Sequence, residues 1–229
     1  MATYLLCHGG WVGGWQWREV KALLQAAGHT VFTPTFTGHG ERVHLAHPGI
    51  DMHTYIQDVV NVLRYEDLHE VILLGYSLSG PVISGVAEQM PERIRHLVFL
   101  DTYLLADGQA MADQIDPELM RDLLAAAEAY GDGWRLPHDP PDAERRTEQP
   151  VKPVLTPLSL ANPQAATIPR TFILCTQGDQ DIGRLHTAIG QAAARVRSDP
   201  DWRYHELATG HMPMWTRPRE LADLLLALA

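Results

Sequence analysis

The stretch Val71-Ile72-Leu73-Leu74-Gly75-Tyr76-Ser77-Leu78-Ser79-Gly80 constrains this chain more than any other. Its four β-prone apolar residues give a short buried-strand signal. A small-X-Ser-X-small turn follows, and then Val82, Ile83, Val86, Ala87 and Met90 recur at helical spacing. Strand, sharp turn and helix with a serine at the apex is the arrangement that lifts a hydroxyl above the edge of a sheet. Two positions either side of Ser77 the residues must be small, because strand and helix pass close together there. Gly75 meets that need, whereas the second position, usually glycine, is Ser79. The pattern also suits a plain helix N-cap, which serine favours. The rest of the chain has to decide between a nucleophile and a cap.

On either side of this stretch, apolar strands alternate with amphipathic segments. Thr3 to Cys7 is a short apolar run that ends in His8-Gly9-Gly10-Trp11-Val12-Gly13-Gly14-Trp15-Gln16-Trp17. A glycine-rich loop after a first strand can hold a dinucleotide. Here the GxGxxG spacing is absent, tryptophans occupy the loop and no acidic residue ends the second strand. The other use of a His-Gly-Gly loop is to offer the Gly10 N–H to an oxyanion. Trp17 to Ala27 is expected to be a helix stopped by Gly28, Thr30 to Thr35 a strand, and His53 to Leu63 a helix. His96 to Leu100 is a further buried strand, ending at Asp101. This alternation predicts an α/β fold with a mostly parallel, doubly wound sheet covered on both faces.

The alternation breaks between about 103 and 166. A helix over Pro117 to Tyr130 is followed by a Pro-rich, charged run from Pro137 to Pro157. The segment is too small for a core of its own. It is expected to be a lid inserted after the strand that follows the serine turn, so that 1–229 forms a single domain. The alternation resumes with a strand over Thr171 to Cys175, a helix from about Gly183 to Val196, a strand over Trp202 to Leu207 and a closing helix from Pro218.

At 229 residues and 45% hydrophobic, the chain can bury a sizeable core. A net charge of −10 leaves no basic stripe for phosphates, so no nucleic-acid partner is expected. No run approaches the roughly 18 apolar residues of a membrane span. The N-terminus lacks the basic and apolar regions of a signal peptide, and a cytoplasmic protein is the expectation. Cys7 and Cys175 end predicted strands outside any CxxC or Cys/His spacing. They read as buried thiols, and no metal or other cofactor is expected. The oligomeric state is left open, a homodimer included.

Ser77 ends one strand, Asp179 and Asp181 follow another, and His211 follows the last. In a parallel sheet all of these lie at C-terminal strand ends and converge on one edge. The chemistry accounts for the residue types. A serine hydroxyl needs a base within hydrogen-bond reach, and imidazole titrates in the right range. A carboxylate holds the imidazole in the required tautomer. The oxyanion of a tetrahedral intermediate needs donors: the N–H of Leu78, at the positive end of the helix, and that of Gly10.

The chain resembles α/β-hydrolases of the plant methylesterase and hydroxynitrile-lyase group, and still more their bacterial esterase relatives. The resemblance rests on His8-Gly9-Gly10-Trp11, Gly14-Trp15-Gln16-Trp17, Thr37-Gly38-His39-Gly40-Glu41-Arg42, Gly75-Tyr76-Ser77, Phe99-Leu100-Asp101, Phe172 to Thr176 and Gly210-His211-Met212. It implies a carboxylic-ester hydrolase that forms an acyl-enzyme on Ser77, with His211 as base and Gly10 and Leu78 as oxyanion hole. For the acid, the family's spacing ahead of an Ile-Pro-like pair points first to Asp179. The wider Gly-X-X-Asp pattern points to Asp181, and the minority placement after the strand next to the serine turn points to Asp101. The lyases of the group carry a threonine and a lysine where this chain has Gly9 and Met212, which favours ester hydrolysis.

The expected substrate is a small or medium apolar ester, aromatic or lactone esters included. Trp11, Tyr76, Trp134 and Met212 are the candidate pocket residues. Two other readings use the same pocket: a non-hydrolytic lyase or cyclase, and a catalytically silent ligand-binding relative.

Overall fold

A computed structural model describes residues 1–138, 145–178 and 182–229. The strands β1 (Thr3–Cys7), β2 (Thr30–Phe32), β3 (Val71–Tyr76), β4 (Ile94–Leu100), β7 (Arg170–Cys175) and β8 (Trp202–Leu207) form, among the described residues, one six-stranded parallel sheet in the order β2-β1-β3-β4-β7-β8. Because successive strand side chains point to opposite faces, one run of apolar sequence serves two cores. Leu5, Cys7, Leu73 and Phe99 join one cluster, while Tyr4, Leu6, Leu74, Val98 and Leu100 join the other. Both faces are therefore dry, as the doubly wound, mostly parallel expectation required.

The first face is covered by α2 (Met52–Tyr65), α3 (Ser79–Gln89) and a helix over Leu185–Arg197; the second by α1 (Arg18–Ala26) and a helix over Pro218–Leu226. In α2, Tyr55, Ile56, Val59, Val60 and Leu63 lie on one face at helical spacing and are fully buried. Burying each such side chain contributes about 1.5–3 kcal/mol. The helix starts at Asp51, whose carboxylate accepts from the Thr54 N–H at 3.0 Å while the Thr54 hydroxyl accepts from the Asp51 N–H at 3.3 Å. This reciprocal cap satisfies amides that the helix leaves unpaired. Strand β2 ends at Phe32 rather than at Thr35. Pro34 has no N–H for a ladder, and the backbone turns so that Thr35 can accept from Gly14 N at 2.9 Å and from Arg42 Nη1 at 2.9 Å.

The segment 103–166 carries α4 (Pro117–Tyr130), whose bounds match the sequence reading, and short helices over Lys152–Leu155 and Pro163–Ala166. It also contains a two-residue antiparallel pair, β5 (Arg135–Leu136) with β6 (Gln149–Pro150). Two paired residues are too few to leave a period-2 signal in the sequence. Trp11 fastens this segment to the loop after β1. Its Nε1 donates to the Pro137 carbonyl at 3.1 Å, and its own carbonyl accepts from Thr147 N at 2.9 Å. No helix among the described residues is long and apolar enough to cross a membrane.

Candidate active site

Ser77 sits between β3 and α3 with φ of +54°, a conformation that L side chains rarely adopt and that must be held by its surroundings. Several contacts hold it. A Cβ on Gly75 would collide with the Ser79 carbonyl, and one on Gly9 would come within 2.8 Å of the Tyr76 ring and 3.2 Å of Ser77 Cβ. Ser77 N donates to Leu100 O at 3.2 Å, and the Thr102 hydroxyl donates to the Ser77 carbonyl. The serine at position 79, the one departure from the small-residue pattern, is fully buried and its hydroxyl donates to the His8 carbonyl. A glycine would leave that carbonyl without this donor. Ser79 thus ties the loop after β1 to the turn that carries Ser77.

His8 is buried, with both ring nitrogens engaged. Nε2 accepts from Phe36 N at 3.0 Å, so the proton is on Nδ1, 2.7 Å from the Gly9 carbonyl. Burial pushes its pKa down to about 4. It is a structural pin for the Gly9-Gly10 loop rather than a base.

His211, in the loop after β8, reaches back over the sheet edge. Its Nε2 is 2.9 Å from Ser77 Oγ and its Nδ1 is 2.6 Å from Asp101 Oδ2. The Tyr76 ring lies against the imidazole, with centroids 4.9 Å apart. Asp101 has no exposed surface. Its other oxygen, Oδ1, accepts from the Cys175 N–H at 2.9 Å and lies 3.2 Å from His186 Nε2. Burial opposes the charge on Asp101, but the hydrogen bonds from His186, His211 and Cys175 outweigh it and hold the carboxyl below its ordinary value.

The acid placed last by sequence spacing is therefore the one on His211. Asp179 and Asp181, the first and second choices, lie outside the described residues. Asp101 follows β4 with φ of +43° and lies at the end of β7, where the Cys175 N–H holds one oxygen and leaves the other for His211. One sequence signal was available. Asp101 directly follows the apolar run Leu97-Val98-Phe99-Leu100, where an ionised group has to be paired, whereas Asp179 and Asp181 fall in a polar stretch of the sequence. His186, on a helix distant in sequence, left no such signal.

A cavity of about 330 Å³ opens above Ser77. Gly10, Leu78 and His211 line it beside the serine, and Trp11, Tyr76 and Met212 line it as expected. Trp134 does not. It is half-buried, with the Arg135 guanidinium stacked 4.9 Å above its ring. The insertion supplies Met111, Ile115, Leu123, Leu136 and Val154 in its stead, along with Gln149 and Arg146. Their spacing in the sequence follows no single helix or strand period, and sequence reasoning missed them as lining. Among the described residues no group of three or more His, Cys, Asp or Glu side chains is arranged to hold a metal ion.

A model described as the alpha/beta hydrolase family matches residues 4–224. A carbendazim-hydrolysing esterase of Nocardioides sp. (strain SG-4G) is 33% identical over 247 residues, with both chains covered in full. Methylesterase 1 of Arabidopsis thaliana is 26% identical over 99% of this chain and 95% of its own. Among solved structures, an extracellular α/β-hydrolase from a Paenibacillus species superposes with a TM-score of 0.81 at 25% identity, over 100% of this chain and 99% of that one. That protein is described as sharing structural and functional homology with tobacco salicylic acid binding protein 2.

Proposed function

Because the chain belongs to the alpha/beta hydrolase family, we propose that Ser77, His211 and Asp101 are its catalytic triad, with the N–H groups of Gly10 and Leu78 as oxyanion hole. The chain is a carboxylic-ester hydrolase, like the esterases it resembles across its full length. The observation that carries the triad is the unbroken run Ser77 Oγ, His211 Nε2, His211 Nδ1, Asp101 Oδ2, with links of 2.9 and 2.6 Å.

In this reading Asp101 accepts a hydrogen bond from the Nδ1–H of His211, which leaves Nε2 unprotonated and able to take the proton of Ser77. Ser77 Oγ then attacks the ester carbonyl. The carbonyl oxygen gains negative charge and is met by the Gly10 and Leu78 donors, each such donor lowering the barrier by about 3 kcal/mol. The tetrahedral intermediate collapses to an acyl-enzyme, and His211 returns its proton to the departing alcohol. Water, deprotonated by the same imidazole, releases the acid. The contacts of Asp101 with His186 and Cys175 keep the carboxylate ionised and stationary while the imidazole becomes charged.

The apolar walls suit a small or medium ester with an aromatic or aliphatic body. The segment 103–166 acts as a lid within one 229-residue domain, a reading supported by the lining residues it contributes. Ser77→Ala is expected to lower p-nitrophenyl butyrate hydrolysis by roughly 10⁴-fold or more, with the circular dichroism spectrum unchanged. Retained turnover would remove Ser77 from the mechanism and favour non-hydrolytic chemistry in the same pocket.

A further inference from the structure

Gln149 brings to the cavity a buried polar atom that has no partner among the described residues. Gln149 is 1% exposed and lines the cavity beside Gly10. Its amide nitrogen donates to the Pro150 carbonyl at 2.9 Å and to the Tyr55 hydroxyl at 3.3 Å, so both of its N–H bonds are engaged. The Tyr55 hydroxyl is held in turn. It lies 2.7 Å from His39 Nε2, and His39 Nδ1 lies 3.4 Å from the Thr147 hydroxyl. Because Tyr55 accepts from Gln149, its proton goes to His39, whose pKa burial pushes well below the usual value.

This relay fixes which way the Gln149 amide faces. Rotating it would set its oxygen against the Pro150 carbonyl, acceptor against acceptor. Yet Oε1 is buried and has no hydrogen-bond partner among the described residues. A Cβ added to Gly10 would sit 3.1 Å from it, so this acceptor lies next to the backbone read above as part of the oxyanion hole. Buried carbonyl oxygens without partners are rare and costly in native proteins. The His39 loop and Tyr55 thus serve to aim one acceptor at the reacting end of the cavity.

We propose that Gln149 Oε1 receives a hydrogen bond from the substrate, so that the preferred esters carry an O–H or N–H donor within two or three bonds of the scissile carbonyl. The inference rests on the Ser77 and Gly10 roles given above. It makes Gln149 a specificity residue contributed by the lid. A substrate with the donor pairs with Oε1; one without it buries the oxygen unpaired, and that asymmetry is what discriminates.

The test compares methyl 2-hydroxy-2-phenylacetate with its 2-methoxy ether and with methyl phenylacetate, each rate corrected for the ester's rate of alkaline hydrolysis. Wild-type enzyme is expected to favour the hydroxy ester in kcat/KM by about tenfold to a hundredfold, the size of one buried acceptor left unpaired. In Gln149→Met, which keeps the length and removes the acceptor, the preference is expected to fall to within about twofold. Because the readout is a ratio within one protein, a loss of active material cancels. Tyr55→Phe, which releases one of the two bonds that aim the amide, is expected to give an intermediate ratio. A preference absent from wild type, or undiminished in Gln149→Met, overturns the assignment of Gln149. Absence of Ser77-dependent turnover on all three esters overturns the esterase reading as well, so the two failures are distinguishable.

Discussion

The floor and the roof of the cavity are built to different standards. On the floor, Ser77 and Asp101 follow the ends of β3 and β4, held by the bonds Ser77 N to Leu100 O and Asp101 N to Ile173 O, and His211 comes from the loop after β8 and is held by its bonds to both. The roof comes from the insertion, where α4 is as long as α2 but buries only Met120 and Ala127, against six buried residues in α2. Positions that must be right to a fraction of an ångström sit on strands. Positions that only shape a space sit on a helix and a two-residue hairpin with little core beneath them. The difference separates what the protein does from what it does it to: chemistry from the sheet edge, selectivity from the insertion.

The strongest way to break this division is to alter the floor. Asp101→Asn preserves the shape of the carboxyl group but removes its charge and allows the wrong imidazole tautomer. It is expected to lower kcat by about 10⁴-fold, measured on p-nitrophenyl butyrate, while Asp179→Asn changes kcat by less than about threefold. A large effect of Asp179→Asn with a small effect of Asp101→Asn would move the acid to Asp179.

These two carboxylates mark the limit of what the sequence revealed. The strands, the long helices and the convergence of Ser77 and His211 follow from apolar periodicity and from the rule that functional groups gather at strand ends. The donor loop at Gly10 and the tight turn at Gly75 were legible for the same reason. Which carboxylate meets His211 depends on the turn after β4, where Asp101 takes a φ of +43°, and the spacing rules for the acid do not encode that turn. The roof was less legible still. Trp134 was expected in the cavity because it is large and apolar, yet it lies under Arg135. Gln149 passed unnoticed because one glutamine in a polar run gives no signal until Tyr55, more than ninety residues away, orients it.

A smaller effect concerns stability on the floor. His8 is held at about 4 by burial, against 6.5 for the free side chain. As pH falls between those values the unfolded chain binds a proton that the folded chain does not, so stability falls with falling pH across this window and levels off below it. The full step is about 3 kcal/mol for His8. Urea midpoints measured from pH 7 to pH 4 should drop accordingly, and the drop should shrink in His8→Asn. An equal drop in both proteins would show that His8 is not the proton acceptor.

The smallest effect belongs to the roof. Leu123→Ala removes a lining side chain contributed by the insertion. It is expected to lower kcat/KM for an aryl ester that fills the cavity by about tenfold, while p-nitrophenyl acetate, too small to reach the roof, changes by less than about twofold. Equal losses on both esters would mean that the insertion also positions the floor, and the division would fail.

The most direct test of the floor is covalent. Incubation with an alkyl p-nitrophenyl phosphonate should add one phosphonyl group per chain, read by intact-mass spectrometry and mapped to the peptide carrying Ser77. The adduct should be absent in Ser77→Ala and slowed at least about a thousandfold in His211→Ala. No adduct on the wild-type chain, or the same adduct on Ser77→Ala, would contradict a serine nucleophile at the end of β3.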